Sequence, residues 1–166
     1  SAVIESQHDD HHHGPAKGFS RWLYTTNHKD IGSLYLWFSF IMLFVGGAMA
    51  MVIRAELFEP GSQIVSPEFY NQMVTNHGLI MVFGVIMPAF VGLANWMIPM
   101  QIGAPDMALP RLNNLSFWIL PAAFGVLLST FLMEGGAPNF GWTFYAPLST
   151  EYAPPTVTFF IFSVHI

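Results

Sequence analysis

The stretch Ile31-Gly-Ser-Leu-Tyr-Leu-Trp-Phe-Ser-Phe-Ile-Met-Leu-Phe-Val-Gly-Gly-Ala-Met-Ala-Met-Val-Ile53 runs 23 residues without a charged side chain. As a helix rising 1.5 Å per residue it is about 35 Å long, enough to cross a hydrocarbon core of about 30 Å. Arg54 closes it. A second uncharged stretch covers residues 69–105, and its helical part is expected over 74–102. Gly103-Ala104-Pro105-Asp106 then reads as a helix stop and tight turn. A third uncharged run is expected to span 112–133. Residues 134–155 form a loop rich in Gly, Pro and aromatic residues. The apolar run at 156–166 is too short to cross alone and reads as the start of a fourth span. The expected fold is therefore an all-α membrane protein, a transmembrane helix bundle with three complete spans and the beginning of another.

Composition agrees with lipid as the solvent. Apolar residues make up 53% of the 166 and charged residues 9%, against about 25% charged in a soluble domain. The absence of cysteine excludes disulfides and thiolate metal sites. A net charge of −5 with five basic residues gives no footprint for nucleic acid. No secretory signal pattern precedes the first span. Residues 1–18 form a His-rich tail, with His8, His11, His12 and His13 interrupted by Asp9 and Asp10. Two readings stand: a disordered, solvated tail, or a metal-binding cluster.

Lys17, Arg21 and Lys29 precede the first span and Arg111 lies between the second and third, with only Arg54 on the opposite side. That bias predicts a cytoplasmic N-terminus. Gly46, Gly47, Gly84, Gly92, Ala122, Ala123 and Gly125 would let helices approach closely. Asn76, His77 and Asn95 need partners inside the membrane. Together these predict a larger bundle around this stretch.

His77 is the most informative residue. Neutral imidazole is a common haem-iron ligand, and Gly84 and Gly92 at helical spacing predict a smooth groove for a flat ring beside a bend at Pro88. A histidine hydrogen-bonded to a neighbouring helix fits as well. Arg54 reads locally as a flanking residue whose charge reaches water. Asp106, near Asn95, Asn113, Asn114 and Ser116, reads either as the start of a water-filled proton path or as a turn-forming residue after Pro105.

Five blocks, in order, resemble subunit I of the haem–copper oxidases. They are Thr25-Thr-Asn-His-Lys-Asp-Ile-Gly32, Thr75-Asn-His-Gly-Leu-Ile-Met81, Ile98-Pro-Met-Gln-Ile-Gly-Ala-Pro-Asp-Met107, Pro110-Arg-Leu-Asn-Asn-Leu-Ser-Phe-Trp118 and Gly141-Trp-Thr-Phe-Tyr-Ala-Pro-Leu-Ser149. The resemblance covers nearly everything after residue 18, and its Gly-Ala-Pro-Asp-Met form is similar to the cytochrome c oxidase branch with haem a. It implies that residues 19–166 are the N-terminal part of a twelve-helix subunit.

The resemblance implies that His77 is an axial ligand of low-spin haem a, and that Arg54 hydrogen-bonds the formyl group of that haem. It implies that Asp106 is the mouth carboxylate of a proton-uptake pathway. Asn95 and Asn113 would lie near that mouth, with His28, Tyr35 and Ser116 further along. Trp142 would lie near the haem propionates and the copper-bearing subunit. Glu56, Glu59, Gly61 and Gln63 fall where some relatives bind a calcium-like ion. The ligands of a second haem and a copper belong to later helices, so this stretch alone would not reduce oxygen. Implied partners are the copper-bearing subunit II, subunit III, cytochrome c and membrane lipid, in a bacterial inner membrane. A quinol oxidase of the same superfamily and a helical transporter or channel are the competing expectations. His165 is expected to pack rather than to bind a cofactor.

Overall fold

A computed structural model describes residues 18–62 and 64–166. The tail at 1–17 and Gln63 lie outside the described residues. Every regular element among the described residues is helical: α1 (Phe19–Tyr24), α2 (His28–Glu56), α3 (Pro67–Leu79), a π-helical segment (Ile80–Ile86), α4 (Met87–Ile102), α5 (Pro110–Ser129), a 3-10 turn (Thr130–Leu132) and α6 (Val157–His165). His28–Glu56, Pro67–Ile102 and Pro110–Leu132 are long and apolar enough to cross a membrane.

The helices overrun the uncharged stretches that reveal them. Asn27 caps α2, its side chain accepting from Lys29 N at 2.9 Å, so the helix starts three residues before the apolar run. Ser66 caps α3 through Phe69 N at 3.2 Å, Pro67 fits the first turn, and Glu68 favours the positive helix end. That helix thus begins seven residues ahead of the expected 74, and the 54–73 loop shrinks to 57–66. Charge marks where lipid ends, whereas caps mark where helices end. Gly103, at φ 71, closes α4 in the left-handed conformation, as its position predicts.

Pro88 has no N–H to offer the preceding turn. Instead of a simple bend, the structure places seven π-helical residues immediately before it, ending with Met87 N–H donating to Val82 O. Ser39 of α2 donates to Val85 O in this segment at 2.8 Å.

The groove expected from Gly84 and Gly92 is not formed. A Cβ on Gly92 would lie 2.9 Å from Gly32 O and from Leu36 Cγ, and one on Gly84 would lie 3.0 Å from Phe124 Cζ. Both glycines are consumed by helix packing: α4 crosses α2 backbone to backbone at Gly32/Gly92, and α5 fills Gly84 with Phe124. In lipid such close approach replaces the hydrophobic drive that water would supply. Gly32→Ala would push a methyl to 2.8 Å from Gly92 O, a backbone atom that cannot swing aside. We expect it to destabilise the complete subunit by about 1–3 kcal/mol, read as a lower melting temperature of the solubilised complex.

Tyr35 and Phe38 of α2 meet Phe117 of α5 edge to face, with Tyr35–Phe117 centroids 5.2 Å apart, and Phe38 meets Phe124 at a tilt. Phe140 and Phe144 of the 133–156 loop pack on Phe160 of α6 at 5.4 and 5.2 Å. At the other end, Arg21 of α1 forms a two-pronged ion pair with Asp30, at 2.7 and 3.1 Å, which raises the proton affinity of the guanidinium.

Candidate functional site

The polar groups of the bundle gather at two ends. At the Asp106 end, the turn after α4 meets the start of α2. Asp106 Oδ1 accepts from Met107 N at 2.8 Å and from His28 N at 3.3 Å. His28 is buried, and its Nδ1 lies 2.9 Å from Asn95 O. A carbonyl only accepts, so Nδ1 is the donor. Asn113 Nδ2 donates to Asn95 Oδ1 at 2.6 Å. Ser116 Oγ donates to Asn113 O at 2.7 Å, and Tyr35 OH lies 2.9 Å from Ser116 Oγ. With the serine proton spent on Asn113, Tyr35 is the donor to Ser116.

Asp106, His28, Asn95, Asn113, Ser116 and Tyr35 are therefore joined residue to residue by hydrogen bonds into one file, with Asn113–Asn95 and Tyr35–Ser116 linked side chain to side chain and the other three links passing through the backbone of His28, Asn95 and Asn113. All six were singled out from the sequence, across three helices and a turn, and the fold brings them together. Asn114 belongs to the brace around them: its Nδ2 donates to Thr25 O at 2.7 Å, tying the α1–α2 joint to α5. Above Tyr35 and Ser116 opens an apolar cavity of about 320 Å³ between α4, α5 and α6.

At the other end, His77 is half-buried on α3, with Nδ1 2.8 Å from Gly46 O of α2. The carbonyl again makes Nδ1 the donor, so that Nε2 is the nitrogen through which a neutral ring could bind a metal. Metal-bound histidines are commonly oriented in this way by a second partner. Gly47, next to that carbonyl, has open space where a Cβ would stand. Arg54 is exposed in the last turn of α2, seven residues after Gly47 and so on the same stripe two turns on. A histidine held through Nδ1, with an open glycine and an arginine along one stripe of the neighbouring helix, suits a flat anionic macrocycle, although the face at Gly84 and Gly92 does not.

Trp142 is half-exposed, and its ring packs on Gly78, beside His77: a Cβ on Gly78 would stand 3.0 Å from Trp142 Cδ1. The sequence reading passed over Gly78, Thr75 and Gln72, which carry this contact and its neighbours. Their signal was a run of small and polar residues flanking an intramembrane histidine.

Glu56 is buried at the end of α2, and its Oε2 accepts from Ile64 N and Val65 N at 2.8 and 2.9 Å. It thus closes the 57–66 loop. Glu59 and Gly61 are exposed on that loop. Among the described residues no three His, Asp or Glu side chains converge as a metal site. His165 is exposed on α6, with Nδ1 2.8 Å from Ile161 O one turn back.

The described residues thus form a helical membrane-protein stretch, with three helices long and apolar enough to cross a membrane, a half-buried histidine at one end and a carboxylate-headed polar file at the other. The chain belongs to the family described as cytochrome c and quinol oxidase polypeptide I, whose sequence profile matches residues 30–166. It is 48% identical over 146 residues to cytochrome c oxidase subunit 1 of Corynebacterium diphtheriae, covering 87% of this chain and 26% of that protein. It is 48% identical over 145 residues to the probable cytochrome c oxidase subunit 1-alpha of Streptomyces avermitilis, 86% of this chain and 25% of that protein. It is 47% identical over 137 residues to the heme-copper oxidase subunit I+III of Aeropyrum pernix, 82% of this chain and 17% of that one. The chain spans at most about a quarter of the length of these relatives.

Proposed function

We propose that this chain is the N-terminal part of the main subunit of a terminal respiratory oxidase. The complete subunit would accept electrons originating from cytochrome c, reduce oxygen to water and move protons across a bacterial inner membrane, its N-terminus cytoplasmic. The observation that carries this is the His77–Gly46 hydrogen bond, which presents Nε2 as a ligand at the end of the helix pair opposite the Asp106 file. The names of the relatives support cytochrome c as donor. Subunit II, with its copper, and subunit III would be the partners.

Haem a, when bound, supplies one-electron redox chemistry. His77 would hold its iron through Nε2, with Gly46 O keeping the ring oriented. Arg54 would donate to the formyl group, and Trp142 would cover the neighbouring turn. The second haem and copper would take ligands from helices beyond this stretch.

Asp106 would take up protons from the cytoplasmic side. Its Oδ1 is engaged by two amides, while Oδ2 makes no hydrogen bond among the described residues. His28, Asn95, Asn113, Ser116 and Tyr35 would keep the path polar and ordered through the first turns of the membrane. For calcium, support comes from the Glu56 carboxylate alone, and its Oε2 is already held by two amides. A hard cation needs six or more oxygens.

Arg54→Met in the complete complex tests the haem end. A cationic donor on the formyl withdraws electron density from the ring, so its loss shifts the haem a absorption band to the blue. An unshifted band in a complex that retains haem a means that Arg54 does not touch the formyl.

A further inference from the structure

Residues 72–78 carry more than a ligand. Thr75 is 1% exposed and Asn76 0%. Thr75 Oγ1 donates to Asn71 O at 2.8 Å within its own helix, leaving its lone pair to accept from Gly141 N at 3.0 Å. Asn76 Nδ2 donates to Gln72 O at 2.8 Å and to Pro138 O at 3.2 Å. The Gln72 amide lies directly against Gly136. Within two helical turns, α3 thus grips the 133–156 loop at 136, 138 and 141. The next loop residue is Trp142, whose ring lies on Gly78.

The loop does not hold this path by itself. Gly135, Gly136 and Gly141 have positive φ, and so does Phe144 at 64°, a strained value for a bulky side chain. Backbone polar groups at a membrane boundary also need partners. The side chains of Thr75 and Asn76 supply two of them, from the positions immediately preceding His77.

We infer that Thr75 and Asn76 are positioning residues for the low-spin site, clamping the 138–142 segment so that Trp142 covers the turn bearing His77. The inference rests on the reading of His77 as a haem ligand. Its physical consequence concerns water. The shell around a metal site sets solvent access and local dielectric, and through them the redox potential. A loosened clamp admits water beside the His77 turn and favours the oxidised, more positively charged state.

Thr75→Val in the intact complex tests this. Valine keeps the shape and removes the hydroxyl, which is the acceptor for Gly141 N and the donor to Asn71 O within the same helix. The expected result is full haem content, a lower midpoint potential of the low-spin haem, and faster amide exchange in peptides covering 138–142. Thr75→Ser, which restores the hydroxyl, returns both readouts to wild type. Gly78→Ala, which displaces Trp142 directly, lowers the potential without freeing the Gly141 amide. Wild-type potential and exchange in a haem-replete Thr75→Val complex overturn the clamp. His77→Ala in parallel separates the two ideas: retention of the low-spin haem there overturns the ligand reading itself, whereas its loss beside an unmoved Thr75→Val potential overturns the clamp alone.

Discussion

Replacing His77 by alanine in the complete subunit removes the low-spin haem spectrum from the assembled complex. Alanine removes the imidazole donor from the Gly46 carbonyl, which still accepts within the α2 helix, so the loss is that of one hydrogen bond, about 0.5–1.5 kcal/mol. A multi-helix bundle held by several packed crossings survives a loss of that size. An axial ligand has no such substitute, because among the described residues His77 is the histidine on α3 and α4. Assembly should therefore persist while the band is lost. The check is a reduced-minus-oxidised visible spectrum on complex normalised by subunit content, and an unchanged low-spin band refutes the assignment.

Asp106→Asn slows turnover of the complete enzyme by about tenfold or more, the scale expected when a positioned proton-transfer group is removed. The substitution is close to isosteric. Asparagine Oδ1 still accepts from Met107 N and His28 N, so the turn and the start of α2 stay in place. What disappears is a group able to bind and release a proton at the mouth of the file. Oxygen consumption and proton uptake measured on the same preparation decide the matter. Normal turnover with normal proton pumping removes Asp106 from the pathway.

The spans were legible because they depend on one dominant quantity, the cost of charge in lipid, and residues 31–53 display it without ambiguity. Their ends were not, because Asn27 and Ser66 set them by hydrogen-bonding local amides and carry no hydropathy signal. The file from Asp106 to Tyr35 was legible residue by residue through resemblance, but its connectivity needed three helices in register. Gly84 and Gly92 were misread for the same reason. A glycine stripe announces close approach, yet only the fold says whether a ring, a backbone or Phe124 does the approaching. The π-helical segment before Pro88 was also hidden, since a proline in a membrane helix signals disturbance without specifying its form. Glu56 shows a role that the sequence does not display: its carboxylate closes the 57–66 loop through the Ile64 and Val65 amides.

Oxygen uptake by the purified complex, reconstituted into vesicles and supplied with reduced cytochrome c, bears most directly on the proposed function. The account predicts oxygen consumption accompanied by proton release on the side away from Asp106, with a low-spin haem that turns over during the assay. Oxygen consumption driven by a quinol but not by cytochrome c, or a haem-replete complex that consumes no oxygen from either donor, contradicts it.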